Sequence, residues 1–143
     1  MTILDSNVLS ALTHPTPDER VVAWLNKQPR TSMRITSVTI LEIHLGLQLL
    51  PVGRRRSHLT KEFEAGLADD IDGRVAPFDT VAAQYSASLK ASRHKKELPV
   101  ELRDTMIAGI VLACNATLAT RLSLGKFPFL SLIRGRMGPE TIP

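Results

Sequence analysis

The chain has 143 residues, 43% hydrophobic but only 4% aromatic, and carries 18 Lys and Arg against 14 Asp and Glu, with a sequence pI near 9.6. This length suits one domain with a mostly aliphatic core, and no shift in composition marks a second. No apolar run is long enough to span a bilayer, and Met1 leads into a strand rather than a signal peptide, so no membrane partner and a cytoplasmic location are expected. The single Cys114, in the apolar run Ile110-Val111-Leu112-Ala113, excludes a disulfide framework within the chain and reads as a buried core thiol. Four scattered histidines (His14, His44, His58, His94) share no zinc-ligand spacing. The basic residues bunch at Arg54-Arg55-Arg56, Arg93-His94-Lys95-Lys96 and Arg134-Gly135-Arg136. Each reads alone as a solvated helix end or loop; together they make a nucleic acid a reasonable partner.

In chain order, Thr2-Ile3-Leu4 reads as a short buried strand, and an apolar helical pattern resumes at Val8, Leu9 and Leu12. His14-Pro15-Thr16-Pro17 is a loop, and Asp18-Glu19-Arg20 opens a helix with Val21, Val22, Trp24 and Leu25 on its apolar side. Arg34-Ile35-Thr36 is a strand candidate, Ser37 a candidate N-cap, and the following helix runs to about Leu50, stopped by Pro51 and Gly53. A charged helix is expected from about Ser57 to Ile71, then a strand at Arg74–Phe78 and a helix capped by Asp79 that runs to about Lys96. Pro99 breaks the chain, a helix fills Glu101–Cys114, and Ala116–Thr120 is the last clear strand. Strands alternating with helices predict parallel pairing in a single three-layer α/β/α domain with a short central sheet.

Three acids stand out against that pattern. Asp5 follows the first strand, at the carboxyl end where open α/β sheets form their clefts. One of Asp5, Ser6 and Asn7 would suffice to cap the next helix, and there are three. In the helix from Ser37, the lines Val38-Leu41-Leu45-Leu49 and Ile40-Ile43-Leu47-Leu50 read as two core-facing stripes, with Thr39, Glu42 and Gly46 on a shared face between them. Glu42 is then either a cleft carboxylate or the far end of a capping box that starts at Thr39. Asp104 sits in the first turn of a helix that is apolar on all sides from Met106, where the helix dipole favours an anion, as it would favour any N-terminal acid.

Taken together, Leu4-Asp5-Ser6-Asn7-Val8-Leu9, Ser37-Val38-Thr39-Ile40-Leu41-Glu42-Ile43 with Gly46, Asp104-Thr105-Met106-Ile107-Ala108 and Leu118-Ala119-Thr120-Arg121 resemble a PIN-domain protein. Within that superfamily the chain is most similar to the VapC and FitB-like toxins of bacterial toxin–antitoxin pairs. The resemblance implies an endoribonuclease dependent on Mg2+ or Mn2+, held inactive by a cognate antitoxin, meeting operator DNA only through that antitoxin, and forming a homodimer. It carries the metal-holding, catalytic acids onto Asp5, Glu42 and Asp104, and supporting roles onto Asn7 and Thr120. Hard oxygen ligands suit such a cation, which activates water and offsets charge on a phosphodiester. The family pattern breaks after Arg121: Leu122 stands where an Asn or Asp is usual, Lys126 precedes Phe127, and the tail from Ser131 to Pro139 lacks the usual ending. The fourth metal-facing position is thus apolar or basic, and weaker metal binding is expected than in a relative with an acid or amide there. The competing reading is a PIN fold that binds its antitoxin but cleaves poorly or not at all. A nucleotide-binding α/β domain lacks support, because no glycine-rich phosphate loop follows any expected strand.

Overall fold

Ile3 and Leu4 are buried on opposite faces of one three-residue strand, and that alternation sets the layers of the molecule. The computed structural model describes residues 1–95, 101–120 and 140–141. Pro99, Arg121, Leu122, Lys126 and the tail from Ser131 to Pro139 lie outside the described residues. The elements in order are β1 (Thr2–Leu4), α1 (Ser6–Thr13), α2 (Glu19–Asn26), a 3-10 turn at Arg30–Ser32, β2 (Met33–Thr36), α3 (Ser37–Leu49), α4 (Arg54–Asp69), β3 (Val75–Ala76), α5 (Thr80–Lys95), α6 (Leu102–Ala113), β4 (Thr117–Thr120) and β5 (Glu140–Thr141).

The strand order is β3-β2-β1-β4-β5, and every recorded pairing is parallel. Ile3 pairs with Leu118 and Leu4 with Ala119, so each register position sends like side chains to one face. Ile3, Leu118 and Ala76 face a core closed by α5 and α6 through Ala82, Leu89, Ile107, Ile110 and Val111. On the other face Leu4, Ile35 and Ala119 meet Val8, Ala11, Val21 and Ile71 from α1, α2 and the end of α4. This is the expected three-layer α/β/α arrangement, and β5 is an addition the sequence pattern did not suggest. None of the helices among the described residues is long and apolar enough to cross a membrane.

Local signals explain most boundaries. The Asp18 carboxylate caps α2 by accepting from the Arg20 amide at 3.0 Å, and Asp79 opens α5 by accepting from the Ala82 amide at 2.9 Å. Asn115, in the left-handed region at φ 49°, ends α6 and turns the chain into β4. Arg74 fastens the end of α4 to the sheet, its guanidinium donating to the carbonyls of Met33 (3.2 Å), Arg30 (2.8 Å) and Asp70 (3.1 Å).

Four expectations need correction. The N-cap of α3 is Thr36, whose hydroxyl accepts from the Thr39 amide at 2.9 Å; the Ser37 hydroxyl instead accepts from the Phe78 amide at 3.1 Å, tying the start of α3 to the exit of β3. Helix α4 starts at Arg54 rather than near Ser57, so the three arginines form its first turn, the helix-end alternative for that cluster. Arg93 is buried, which removes it from the solvated basic cluster. Cys114 is half-buried at the rim of the α5/α6 core, and burial pushes its thiol above the ordinary value, with Arg34 opposing and Asp79 adding to the rise.

Helices α5 and α6 approach so closely that Gly109 has no room for a side chain. A Cβ there would stand 2.5 Å from the Ala82 carbonyl oxygen and 3.1 Å from Ser86 Cβ, with Ser86 Oγ nearer still. In an open helix Gly→Ala stabilises by roughly 1 kcal/mol. Here Gly109→Ala is expected to destabilise by roughly 1–3 kcal/mol, the usual size of an overpacked core, measured as a lowered urea midpoint at unchanged slope.

Candidate functional site

The chain lays β1, β2 and β3 outward in one direction, then returns to place β4 and β5 on the other side of β1. The order therefore reverses between β1 and β4, and the carboxyl ends of those two strands flank the crevice where open α/β sheets bind ligands. Asp5 follows β1 and Thr120 ends β4, so the two face each other across the reversal. The Asp5 amide continues the ladder by donating to the Ala119 carbonyl at 3.0 Å. Its side chain is fully buried.

A buried carboxylate needs donors, and three residues supply a chain of them. The Ser6 amide donates to Asp5 Oδ1 at 2.8 Å, the Thr120 hydroxyl donates to Asp5 Oδ2 at 3.0 Å, and Asn7 Nδ2 donates to the Thr120 hydroxyl at 3.0 Å. The capping reading of Asp5 holds, because Asp5 is the N-cap of α1, and the same side chain is the centre of this network. The structure brings together Asp5, Asn7 and Thr120 as one hydrogen-bonded unit.

Asp104 lies in the first turn of α6 and is 4% exposed. Because α6 leads into the amino end of β4, its own first turn lies toward the carboxyl edge of the sheet. Glu42 is half-buried in the second turn of α3, which also starts from that edge, at the end of β2. Thr39 is fully buried and bonded to Thr36, so it is not the cap of a box closed by Glu42. Among the described residues no three His, Cys, Asp or Glu side chains gather so as to hold a metal ion by themselves. The donors present are hard oxygens, which suit Mg2+ or Mn2+, and magnesium commonly takes one or two carboxylates and keeps its waters.

The outer line of α3 also departs from expectation. Val38 is buried, but Leu41, Leu45 and Leu49 are 55%, 45% and 76% exposed, and Val52 just beyond is 90% exposed. On the other line Ile40 packs against the core, and Ile43 and Leu47 help line a narrow apolar slot of about 90 Å³ with Leu9, Leu59 and Phe63. Gly46, on the same face as Glu42, adjoins open space. A feature the sequence reading passed over is the polar face of α1. Asn7, Ser10 and His14 recur at helical spacing opposite Val8 and Leu12, and they line an open cavity of about 700 Å³ beside the Asp5 network.

Fold order and site together define a chain that belongs to the PIN domain family, whose model matches residues 2–121. Within it the chain is similar to "VapC ribonuclease Y4jK" of Sinorhizobium fredii, 32% identical over 121 residues, 85% of this chain and 86% of the relative. It is similar also to "Toxin FitB" of Neisseria gonorrhoeae, 34% identical over 123 residues, 85% of this chain and 87% of the relative. A solved structure of FitAB bound to a DNA fragment superposes with a TM-score of 0.79 at 31% identity, covering 89% of each chain.

The Thr120 hydroxyl is the only side-chain donor recorded on Asp5 Oδ2 among the described residues. Thr120→Val keeps the shape and removes that donor, so it is expected to cost roughly 1–3 kcal/mol of stability in chemical denaturation, with Thr120→Ser retaining most of the wild-type value.

Proposed function

We propose that this protein is the toxin of a toxin–antitoxin pair and acts as an endoribonuclease dependent on Mg2+ or Mn2+. The observation that carries the reading is the buried Asp5–Thr120–Asn7 network at the strand-order reversal, in a chain whose relatives include a VapC ribonuclease and a FitB toxin. Bound at these oxygens, the cation supplies an activated water and stabilises charge on the phosphodiester. Asp5, Asp104 and Glu42 are its carboxylate ligands in this reading. Thr120 fixes the Asp5 carboxylate in one orientation, and Asn7 fixes Thr120, which is how outer partners of a metal ligand act. A cognate antitoxin is the protein partner, covering the apolar slot between α1, α3 and α4, and operator DNA is reached through it, in keeping with the DNA-bound FitAB neighbour.

The test is cleavage of single-stranded RNA by the purified full chain. Activity should require Mg2+ or Mn2+, vanish with chelator, and fall by about 100-fold or more in Asp5→Asn, the scale of losing one electrostatic catalytic group. One observation favours a second reading, a PIN fold that binds its antitoxin but cleaves weakly: no trio of acids is gathered among the described residues. An antitoxin complex without metal-dependent cleavage would select that second reading.

In this reading the homodimer forms through the outer face of α3. Leu41, Leu45 and Leu49 follow one another at four-residue intervals and form an exposed apolar stripe of the kind that marks interfaces, with Val52 exposed just beyond the helix. Leu45→Glu should convert a dimer to a monomer in light scattering while moving monomer stability by no more than about 0.5 kcal/mol, as an exposed substitution does. An unchanged dimer mass would move the interface elsewhere.

A further inference from the structure

The cavity beside Asp5 is lined by Ser6, Asn7, Ser10, His14, Thr16 and Asp18, and its volume of about 700 Å³ is that of a small-molecule cleft. We propose that it is a nucleobase subsite, holding one unpaired base of the RNA next to the bond to be cut and preferring a base with an exocyclic amino group. The proposal rests on the ribonuclease reading for its place in the reaction, but base binding itself can be measured without cleavage.

Position comes first. Two of the lining residues belong to the carboxylate network: the Ser6 amide donates to Asp5, and Asn7 reaches Asp5 through Thr120. A group seated in the cavity is therefore one residue away from the buried acid. The walls are held in place. The Asp18 amide donates to the Ala11 carbonyl at 3.3 Å, which pins the 14–18 loop back onto α1. Asp18 is further fixed as the cap of α2. The Thr16 amide donates to His14 Nδ1 at 3.3 Å, so a neutral His14 ring carries its proton on Nε2.

Chemistry then selects the ligand. The lining offers hydroxyls, an amide, an imidazole and a carboxylate, with Ala11 as its one apolar member. Among the described residues no Lys or Arg lines it; Arg20 stands 3.6 Å from Asp18 but lies outside the lining. A phosphate would bring its charge against the Asp18 carboxylate, and among the described residues no lining cation offsets it. A splayed-out base presents neutral donors and acceptors of the kind Asn, Ser and His read, and single-stranded RNA is recognised through such bases. The carboxylate adds selectivity, because it accepts from the amino groups of cytosine, adenine and guanine and finds none on uracil.

The full chain, labelled with nitrogen-15, is titrated with cytidine, adenosine, guanosine and uridine. Saturable shifts at the amides of Ser10, Ala11, His14 and Thr16 with the first three, and weaker response to uridine, are expected. Ser10→Leu, at an exposed position, and Asp18→Asn should each weaken that binding by about 5-fold or more, the low end of one good base contact. No shift with any nucleoside, or an equal response to all four, overturns the proposal. In parallel, the cut sites in a mixed-sequence RNA are mapped for wild type and Ser10→Leu. Cleavage with an unchanged base preference overturns the subsite and leaves the ribonuclease reading standing. Nucleoside binding without any cleavage supports the subsite and removes the ribonuclease reading.

Discussion

Burying the Asp5 carboxylate completely is the demand on which the rest of this structure depends. An ionised carboxylate taken from water with nothing in exchange costs several kcal/mol. The fold offsets that with donors on both oxygens, the Ser6 amide on one and the Thr120 hydroxyl on the other, and hydrogen bonds to a charged group are worth about 1.5–3 kcal/mol each. To place Thr120 there, β4 must pair with β1 in the register that sets Leu4 opposite Ala119, so that the next residues of both strands meet. That pairing fixes the reversal in strand order, and the reversal creates the crevice. Site and topology are thus one constraint seen at two scales.

The remaining elements serve the same centre. Helix α6 covers β1 and β4 from one side with Ile107, Ile110 and Val111, and can lie close to α5 because Gly109 has no side chain. Helices α1 and α2 close the other side with Val8 and Val21. The start of α3 is held twice, by the Thr36 cap and by the bond from the Phe78 amide to Ser37, which orients Glu42's helix against the sheet edge. A network whose members are fixed by packing can keep a carboxylate aimed without moving at each turnover.

Much of this was legible in the sequence because local signals are strong where the chain must change direction. Asp18 and Asp79 cap the helices they precede, the alternation of short strands and helices gave the layers, and Asp5 could be picked out by its excess of neighbouring polar residues. Thr36 and Ser37 were exchanged as caps because both can serve, and only the backbone at the end of β2 decides between them. The line through Leu41, Leu45 and Leu49 was misread for a deeper reason. Periodicity reports that a helix has an apolar face, not whether the surface covering it belongs to the same molecule. Arg93 was grouped with solvated charges because adjacent basic residues look alike in sequence, while the helix turns each of them by about 100° to a different environment. The polar face of α1 went unread because serines and an asparagine on a surface helix, with a histidine just past its end, are commonplace until a neighbouring loop sets a cavity beside them.

The bond between Thr120 and Asp5 joins residues 115 positions apart. During synthesis β1 emerges before the other strands of the domain, yet it can only become the middle of a sheet when β4 arrives. Contacts of such long sequence separation form late, since the loop they close must be ordered first. On the ribosome, then, Asp5 is without its Thr120 partner until the residues between them have been made. The centre comes into being only once β4 has been made, so copies that stop short of it carry the acid without the assembled site.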